Sequence, residues 1–279
     1  MPGAKPRISF EYFPPKTEAG KEKLLTQTTP ALNELKPEFF SVTYGAGGST
    51  RDTTLGIVSS IQESGIEAAP HLSFGGDDEA TIAALLDTYK ERGISHLVAL
   101  RGDMPSGMGG MAQLVYANEL VAFVRARTGD HFHIEVAAYP EVHPQAESYQ
   151  SDIKFLKGKL DAGADSAITQ YFFNIESYFY FLDQCAAAGI TKPIYAGIMP
   201  IINFTNLARF SRNCGADIPR WISQRIEGYG DDQESIRKFG VEVVSQLCQT
   251  LLESGAPGIH FYTMNQVEPT REIYNNLGL

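Results

Sequence analysis

The sequence predicts a single α/β domain spanning 1–279, closed as a (β/α)8 barrel. Three observations carry that prediction. Eight short apolar segments alternate with amphipathic stretches along the chain. The length of 279 residues suits a fold that typically needs about 250. No GxGxxG follows the first apolar segment, so the usual mark of an open dinucleotide-binding sheet is missing. Alternation of this kind implies parallel strands joined by right-handed crossovers. In either architecture ligands bind where the C-terminal ends of the strands run into the loops, so chemistry is sought there.

Strands are expected near 7–13, 38–44, 66–73, 94–101, 132–138, 165–171, 193–198 and 258–263. Helices are expected near 18–35, 50–64, 78–92, 114–127, 147–162, 176–188, 203–213 and 231–254. The clearest helix carries Ile236, Val243, Val244, Leu247 and Leu251 as one stripe and stops at Gly255. Gly65, Gly93, Gly163 and Gly189 close earlier helices in the same manner. The first strand, RISFEYFPPK, puts Ile8, Phe10 and Tyr12 on one face and Ser9 and Glu11 on the other, before Pro14-Pro15 ends it. In a barrel the outward face is buried beneath helices, so the apolar set belongs outside and Glu11 points inward near the upper rim. A carboxylate there is paired, protonated or employed in chemistry.

The other strand ends are polar too. SVTYGAGGSTRD brings Ser41 and Thr43 to one face, then Gly45, Gly47 and Gly48, with Ser49 or Thr50 able to cap the next helix. Such glycines either cradle a phosphate or form a flexible turn. AAPHLSF places His71 at the rim, and SHLVALRGD delivers Arg101, Gly102 and Asp103 together, facing a ligand or pairing with each other. VAAYPEVHP presents Tyr139, Glu141 and His143, and SAITQYFFN carries Gln170, whose amide suits the edge of a heterocycle. GIMPIINF and GIHFYTMNQ end the last two strands.

A net charge of -10 and a pI near 5.1 argue against nucleic-acid or anionic-membrane partners, while leaving room for a local basic pocket. Cys185, Cys214 and Cys248 are far apart and odd in number, as expected in a reducing cytoplasm. MPGAKPR has no apolar leader core, and no run of about 18 apolar residues occurs, so a soluble cytoplasmic protein is expected. No HExxH is present, and His131 and His133 fall at a strand start, so no metal site is expected. A GxSxG elbow and a Walker loop are likewise missing. The residues alone lead to an enzyme acting on a flat heterocyclic ligand.

Taken together, SFEYFPPK, SVTYGAGGSTRD, EAAPHLSF, HLVALRGD, AAYPEVHP, GADSAITQYFFN, GIMPIINF and HFYTMN resemble the bacterial methylenetetrahydrofolate reductases, in order from residue 9 to 265. The resemblance implies a barrel holding FAD, oxidising NADH or NADPH and reducing 5,10-methylenetetrahydrofolate to 5-methyltetrahydrofolate by a ping-pong cycle. It implies Glu11 as the acid that opens the methylene bridge, which calls for a carboxyl raised by burial above its ordinary range. Asp103 is implied beside flavin and folate, Gln170 and Phe210 on the substrate. Thr43, His71, Arg101, Gly102, Tyr116, Ala117, Tyr139, His143, Asp152 and Lys159 match cofactor-contacting positions. Asn206 stands where relatives can have a folate-binding glutamine, Gln266 where they can have arginine, and Phe155 and Gly158 where Asn and Arg can lie near FAD. The family also implies small-molecule partners alone and a homo-oligomer, and the chain, ending at Leu279, is not expected to be inhibited through the C-terminal region of eukaryotic relatives. The alternatives are a flavin-independent folate-linked methyl-transfer or demethylation enzyme on the same barrel, and a catalytically idle folate- or flavin-binding subunit.

Overall fold

A computed structural model gives the architecture and describes residues 5–44, 50–74, 77–101 and 116–279. Eight parallel strands close in chain order: β1 Arg7–Tyr12, β2 Phe40–Val42, β3 Ala68–Leu72, β4 His96–Ala99, β5 His133–Ala138, β6 Ser166–Thr169, β7 Ile194–Ile198 and β8 Gly258–Tyr262. The seam is made by β1 pairing β8, with Ser9 opposite His260 and Glu11 opposite Tyr262. The expected closed barrel is therefore observed. Each strand is shorter than the apolar segment that encodes it, the segment ends running on into the loops at the two ends of the barrel.

The helices are α1 Glu18–Lys23, then a π-helical turn Leu24–Thr28, α2 Thr29–Asn33, α3 Arg51–Glu63, α4 Glu79–Glu91, α5 Ala117–Thr128, α6 Tyr149–Asp161 and α7 Ile175–Ala187. They continue with α8 Phe204–Cys214, α9 Arg220–Tyr229, α10 Gln233–Glu253 and α11 Glu268–Asn276. One helix was expected over 18–35. The chain instead widens into the π turn just before Pro30, which has no N–H to continue the ladder. Two helices lie outside the expected set. α9 fully buries only Ile222 and Ile226, with Trp221 and Tyr229 resting against Phe239 of α10. α11, which completes the eighth unit after β8, has Pro269 in its first turn and follows a strand end that reads as a loop.

The face of β1 assigned to the helices does lie there: Phe10 packs on Phe40 and Phe261, and Tyr12 stacks on Phe40 at 5.2 Å. Inside the barrel, Phe39, Ala69, Val98 and Ile168 form a separate apolar cluster. Below it, at the N-terminal end, Arg7 pairs with the fully buried Glu135 and lies over the Phe39 and Tyr195 rings at 4.8 and 4.0 Å. Above it sits a second polar group, centred on Glu11. Gly197 of β7 is required for this packing, since a Cβ there would lie 1.9 Å from the Thr169 carbonyl oxygen and 2.8 Å from the Tyr262 ring.

Candidate active site

The alternation of β1 turns Glu11 inward, where side chains from three other strands converge on it. His71 Nε2 of β3 and His260 Nε2 of β8 approach the same carboxylate oxygen, Oε2, at 3.1 and 3.2 Å. Ser41 of β2 donates to that oxygen at 3.4 Å. Behind it, Ser9 Oγ lies 2.7 Å from His260 Nδ1. The histidines differ in aim: His260 is hydrogen-bonded to Glu11, whereas His71 Nε2 lies off the line of a hydrogen bond and acts through proximity.

The Glu11 backbone is also held. Thr263 donates both its N–H and its hydroxyl to the Glu11 carbonyl, at 3.3 and 2.7 Å. Asn265 grips the next link from both sides, accepting from Phe13 N–H at 3.1 Å and donating to the Phe13 carbonyl at 2.8 Å. Met264 and Asn265 both take positive φ, 54° and 56°, to turn that amide back onto β1.

The electrostatics correct one expectation. Burial does push the Glu11 carboxyl upward, and it is the largest single influence. The charge and proximity of His71, with the hydrogen bond and charge of His260, together outweigh it and hold the carboxyl at about 2. A carboxyl raised by its apolar surroundings was expected; the histidines that reverse the direction come from strands 60 and 249 residues away.

A cavity of about 300 Å³ opens between the ends of β4 and β5 and the helices α5 and α6. Arg101, Tyr116, Ala117, Tyr139, His143, Asp152 and Lys159, all assigned to a cofactor by resemblance, line it together. Lys159 donates to the Ala137 carbonyl; burial depresses its ammonium to about 8, against the opposing pull of Asp152. Arg101 bonds Gln145. His143 takes Tyr139 edge-on at 4.6 Å, and its backbone N–H donates to Asp152 at 2.8 Å. At the mouth, Tyr116 and Phe155 lie nearly parallel, 11° apart, with centroids 6.4 Å apart and both rings about half exposed.

The remaining candidates are distributed. His71 belongs to the Glu11 cluster. Thr43 is structural in the described contacts, bonding Tyr12 and Thr54 through its backbone. Gln170 stands at the top of β6, its side-chain oxygen accepting Tyr171 N–H at 3.0 Å. Asn206 is exposed on α8, accepting from Arg209 at 3.3 Å, and Phe210 lies one turn further on, half-buried against the core. Gln266 is exposed at the end of the Thr263 turn. Glu141, named with the β5 loop, accepts Asp217 N–H at 2.8 Å and is not among the residues lining the cavity. Gly102 and Asp103, like the glycines 45, 47 and 48, lie outside the described residues.

Sequence reasoning passed over His260, Tyr44, Asn118 and Gln145. His260 had a signal: it alternates with Tyr262 on β8 as Ser9 does with Glu11 on β1, so it had to face inward. Tyr44 and Gln145 lie in the loops after β2 and β5, and Asn118 in the first turn of α5, and none carries a local mark. Among the described residues no group of three His, Cys, Asp or Glu side chains is placed to hold a metal ion, and no helix is long and apolar enough to cross a membrane.

The chain is similar to known proteins along nearly its whole length. The family model described as methylenetetrahydrofolate reductase matches residues 2–278. The 5,10-methylenetetrahydrofolate reductase of Escherichia coli (strain K12) is 42% identical over 273 residues, covering 98% of this chain and 90% of that one. Methylenetetrahydrofolate reductase (NADH) 1 of Zea mays is 38% identical over 286 residues, 98% of this chain but 48% of the maize protein. Among solved structures, a Clostridium thermocellum protein described as binding two copies of 5-methyl-5,6,7,8-tetrahydrofolic acid shares the fold at a TM-score of 0.69 and 17% identity, covering 98% of this chain and 93% of that one. On the strength of the full-length family match and the bacterial relative, the chain belongs to the methylenetetrahydrofolate reductase family.

Proposed function

We propose that this chain reduces 5,10-methylenetetrahydrofolate to 5-methyltetrahydrofolate, with hydride drawn from NADH or NADPH through bound FAD in a ping-pong cycle. The observation that supports the reading is the convergence of seven resemblance-assigned residues on one cavity beside a barrel mouth that presents Glu11. The cavity suits FAD chemically. Lys159 is a desolvated cation whose described partners are the Ala137 carbonyl and the charge of Asp152, and a diphosphate would complete its surroundings. Tyr116 and Phe155 offer a planar, half-exposed surface for an aromatic ring. When bound, FAD supplies a two-electron carrier between nicotinamide and folate.

The chain's own residues do the rest. Lys159 and Arg101 would hold the anionic middle of the cofactor, and the amide of Gln170 would read the pterin edge. Glu11 delivers a proton to the bridge nitrogen, the step that opens the methylene bridge. Asp103 acts beside flavin and folate. NADH is the donor to test first, since the maize relative is named for it.

The test is the visible spectrum of the purified protein, followed anaerobically as NADH and then methylenetetrahydrofolate are added. Flavin bands that bleach with NADH and return with the folate are expected. Protein that neither carries nor binds FAD would overturn the reading and leave the flavin-independent folate enzyme in its place.

A further inference from the structure

Every folate carries a glutamate tail with two carboxylates, yet Gln170, Asn206, Phe210 and Gln266, the residues set against the substrate, carry no charge. The protein itself has a net charge of -10, so an anionic tail is repelled unless a local cation receives it. Such a cation stands beside them: Arg209 of α8.

α8 is moored over the end of β6 by its buried stripe. Leu207 and Ser211 face the core, Ser211 Oγ lies 3.0 Å from the Tyr171 hydroxyl, and Cys214 Sγ lies 3.4 Å from the same hydroxyl. Tyr171 directly follows Gln170, so the helix is fixed next to that amide. Asn206 and Phe210, four residues apart, share the helix flank beside the stripe. Arg209 borders this flank and folds back over it. Its Nη2 donates to Asn206 Oδ1 at 3.3 Å, and its guanidinium carbon lies 5.1 Å from the centre of the Phe210 ring. Among the described residues no carboxylate pairs with Arg209. Arg212 is turned away instead, onto the Ala208 carbonyl.

We propose that Arg209 is a specificity residue that takes the glutamate carboxylates of the folate substrate. The proposal rests on the folate reading of the site. Guanidinium chemistry supports it: the N–H donors lie in one fixed plane, Asn206 uses one, and a fork remains for a carboxylate. The Asn206 bond and the Phe210 ring hold that plane in place, so less side-chain freedom is lost on binding. The order of the residues also matches the ligand. From the barrel outward come Gln170 at the top of β6, half-buried Phe210 and exposed Arg209. A folate presents pterin, aminobenzoyl ring and glutamate in that sequence. Asn206 thereby gains a part of its own, its amide oxygen orienting the cation.

The test is calorimetric binding of 5-methyltetrahydrofolate, and of its glutamate dimethyl ester, to the FAD-loaded enzyme as wild type, Arg209→Gln and Arg209→Lys. The ester keeps the skeleton and loses both charges. R209Q is expected to weaken binding of the free acid by about three- to tenfold and to bind the ester as wild type does. R209K, a point charge without the fork, should recover part of the loss. Added salt should weaken binding of the acid more steeply in wild type than in R209Q. In turnover, R209Q should raise KM for methylenetetrahydrofolate without lowering kcat, as expected for contact with a part of the substrate remote from the reacting bond. R209Q that binds the acid as tightly as wild type, or that loses acid and ester equally, would overturn the proposal. So would a wild type that binds acid and ester alike. A wild type that binds neither overturns the folate reading itself, and the proposal with it.

Discussion

Glu135 is a carboxylate with no exposure, at the end of the barrel remote from the proposed chemistry. Its Oε1 meets Arg7 and lies 3.3 Å from His133 Nε2, and its Oε2 accepts from Ser166 at 2.5 Å. Burial pushes its carboxyl up, but the hydrogen bond from His133, the charge of Arg7 and the bond from Ser166 bring it down to about 2. From 4.5 to about 2, at 1.36 kcal/mol per pH unit, is about 3 kcal/mol of stability. Breaking a buried pair costs about 3–5 kcal/mol by experience elsewhere, so the two routes agree. Glu135→Gln is therefore expected to lose about 3 kcal/mol in urea unfolding at pH 7, or roughly 6–12 °C in Tm. Because the folded carboxyl lies below its unfolded value, this contribution is complete above pH 4.5 and fades as pH falls toward 2. The gap between wild type and variant should shrink to about 1.5 kcal/mol at pH 3. The double variant Arg7→Met, Glu135→Leu should recover most of the loss, since apolar replacements of a whole buried pair are often tolerated. A gap below about 1 kcal/mol at pH 7, or one that does not change with pH, would refute the reasoning.

Further outcomes follow from the upper half of the barrel. Glu11→Gln should slow reoxidation of the flavin by methylenetetrahydrofolate by about 10²–10⁴-fold while NADH still bleaches it, read by anaerobic stopped flow. Phe155→Asn should weaken FAD binding by about 2–13-fold, the worth of one aromatic stacking contact, with FMN binding unaltered in flavin-fluorescence titrations; equal losses for both would place the ring elsewhere. Gly197→Ala should yield insoluble or cold-labile protein, because its Cβ would fall 1.9 Å from the Thr169 carbonyl oxygen; a wild-type melt would contradict that packing.

What could be read from the sequence was what repeats locally. Eight β-segments, their helices and the glycines that end them are written in short-range periodicity, and Gly65, Gly93, Gly163 and Gly189 do take the positive φ that such stops require. The inward aim of Ser9 and Glu11 followed from alternation alone. α9 and α11 escaped because both are short: α9 fully buries only Ile222 and Ile226, and the buried set of α11 includes Pro269 and Thr270, which do not read as an apolar stripe. The protonation of Glu11 escaped for a different reason. Burial is legible from one strand, but the two imidazoles that oppose it arrive from β3 and β8, and only closure of the barrel brings them to one oxygen. The cavity shows the same division: no periodicity around Lys159 marks it as buried, and only the docking of α6 sets it against the Ala137 carbonyl.

Phe39, Ala69, Val98 and Ile168 form an insulating floor across the barrel bore. Charge above that floor is arranged around Glu11 and charge below it around Arg7 and Glu135, and no described ion pair or hydrogen bond joins the two carboxylates. Such a partition separates two design problems that most enzymes must solve in one place. The lower chamber can be rebuilt for heat or acid tolerance without retuning the proton economy of the mouth, and the mouth can be altered for another substrate without loosening the foundation.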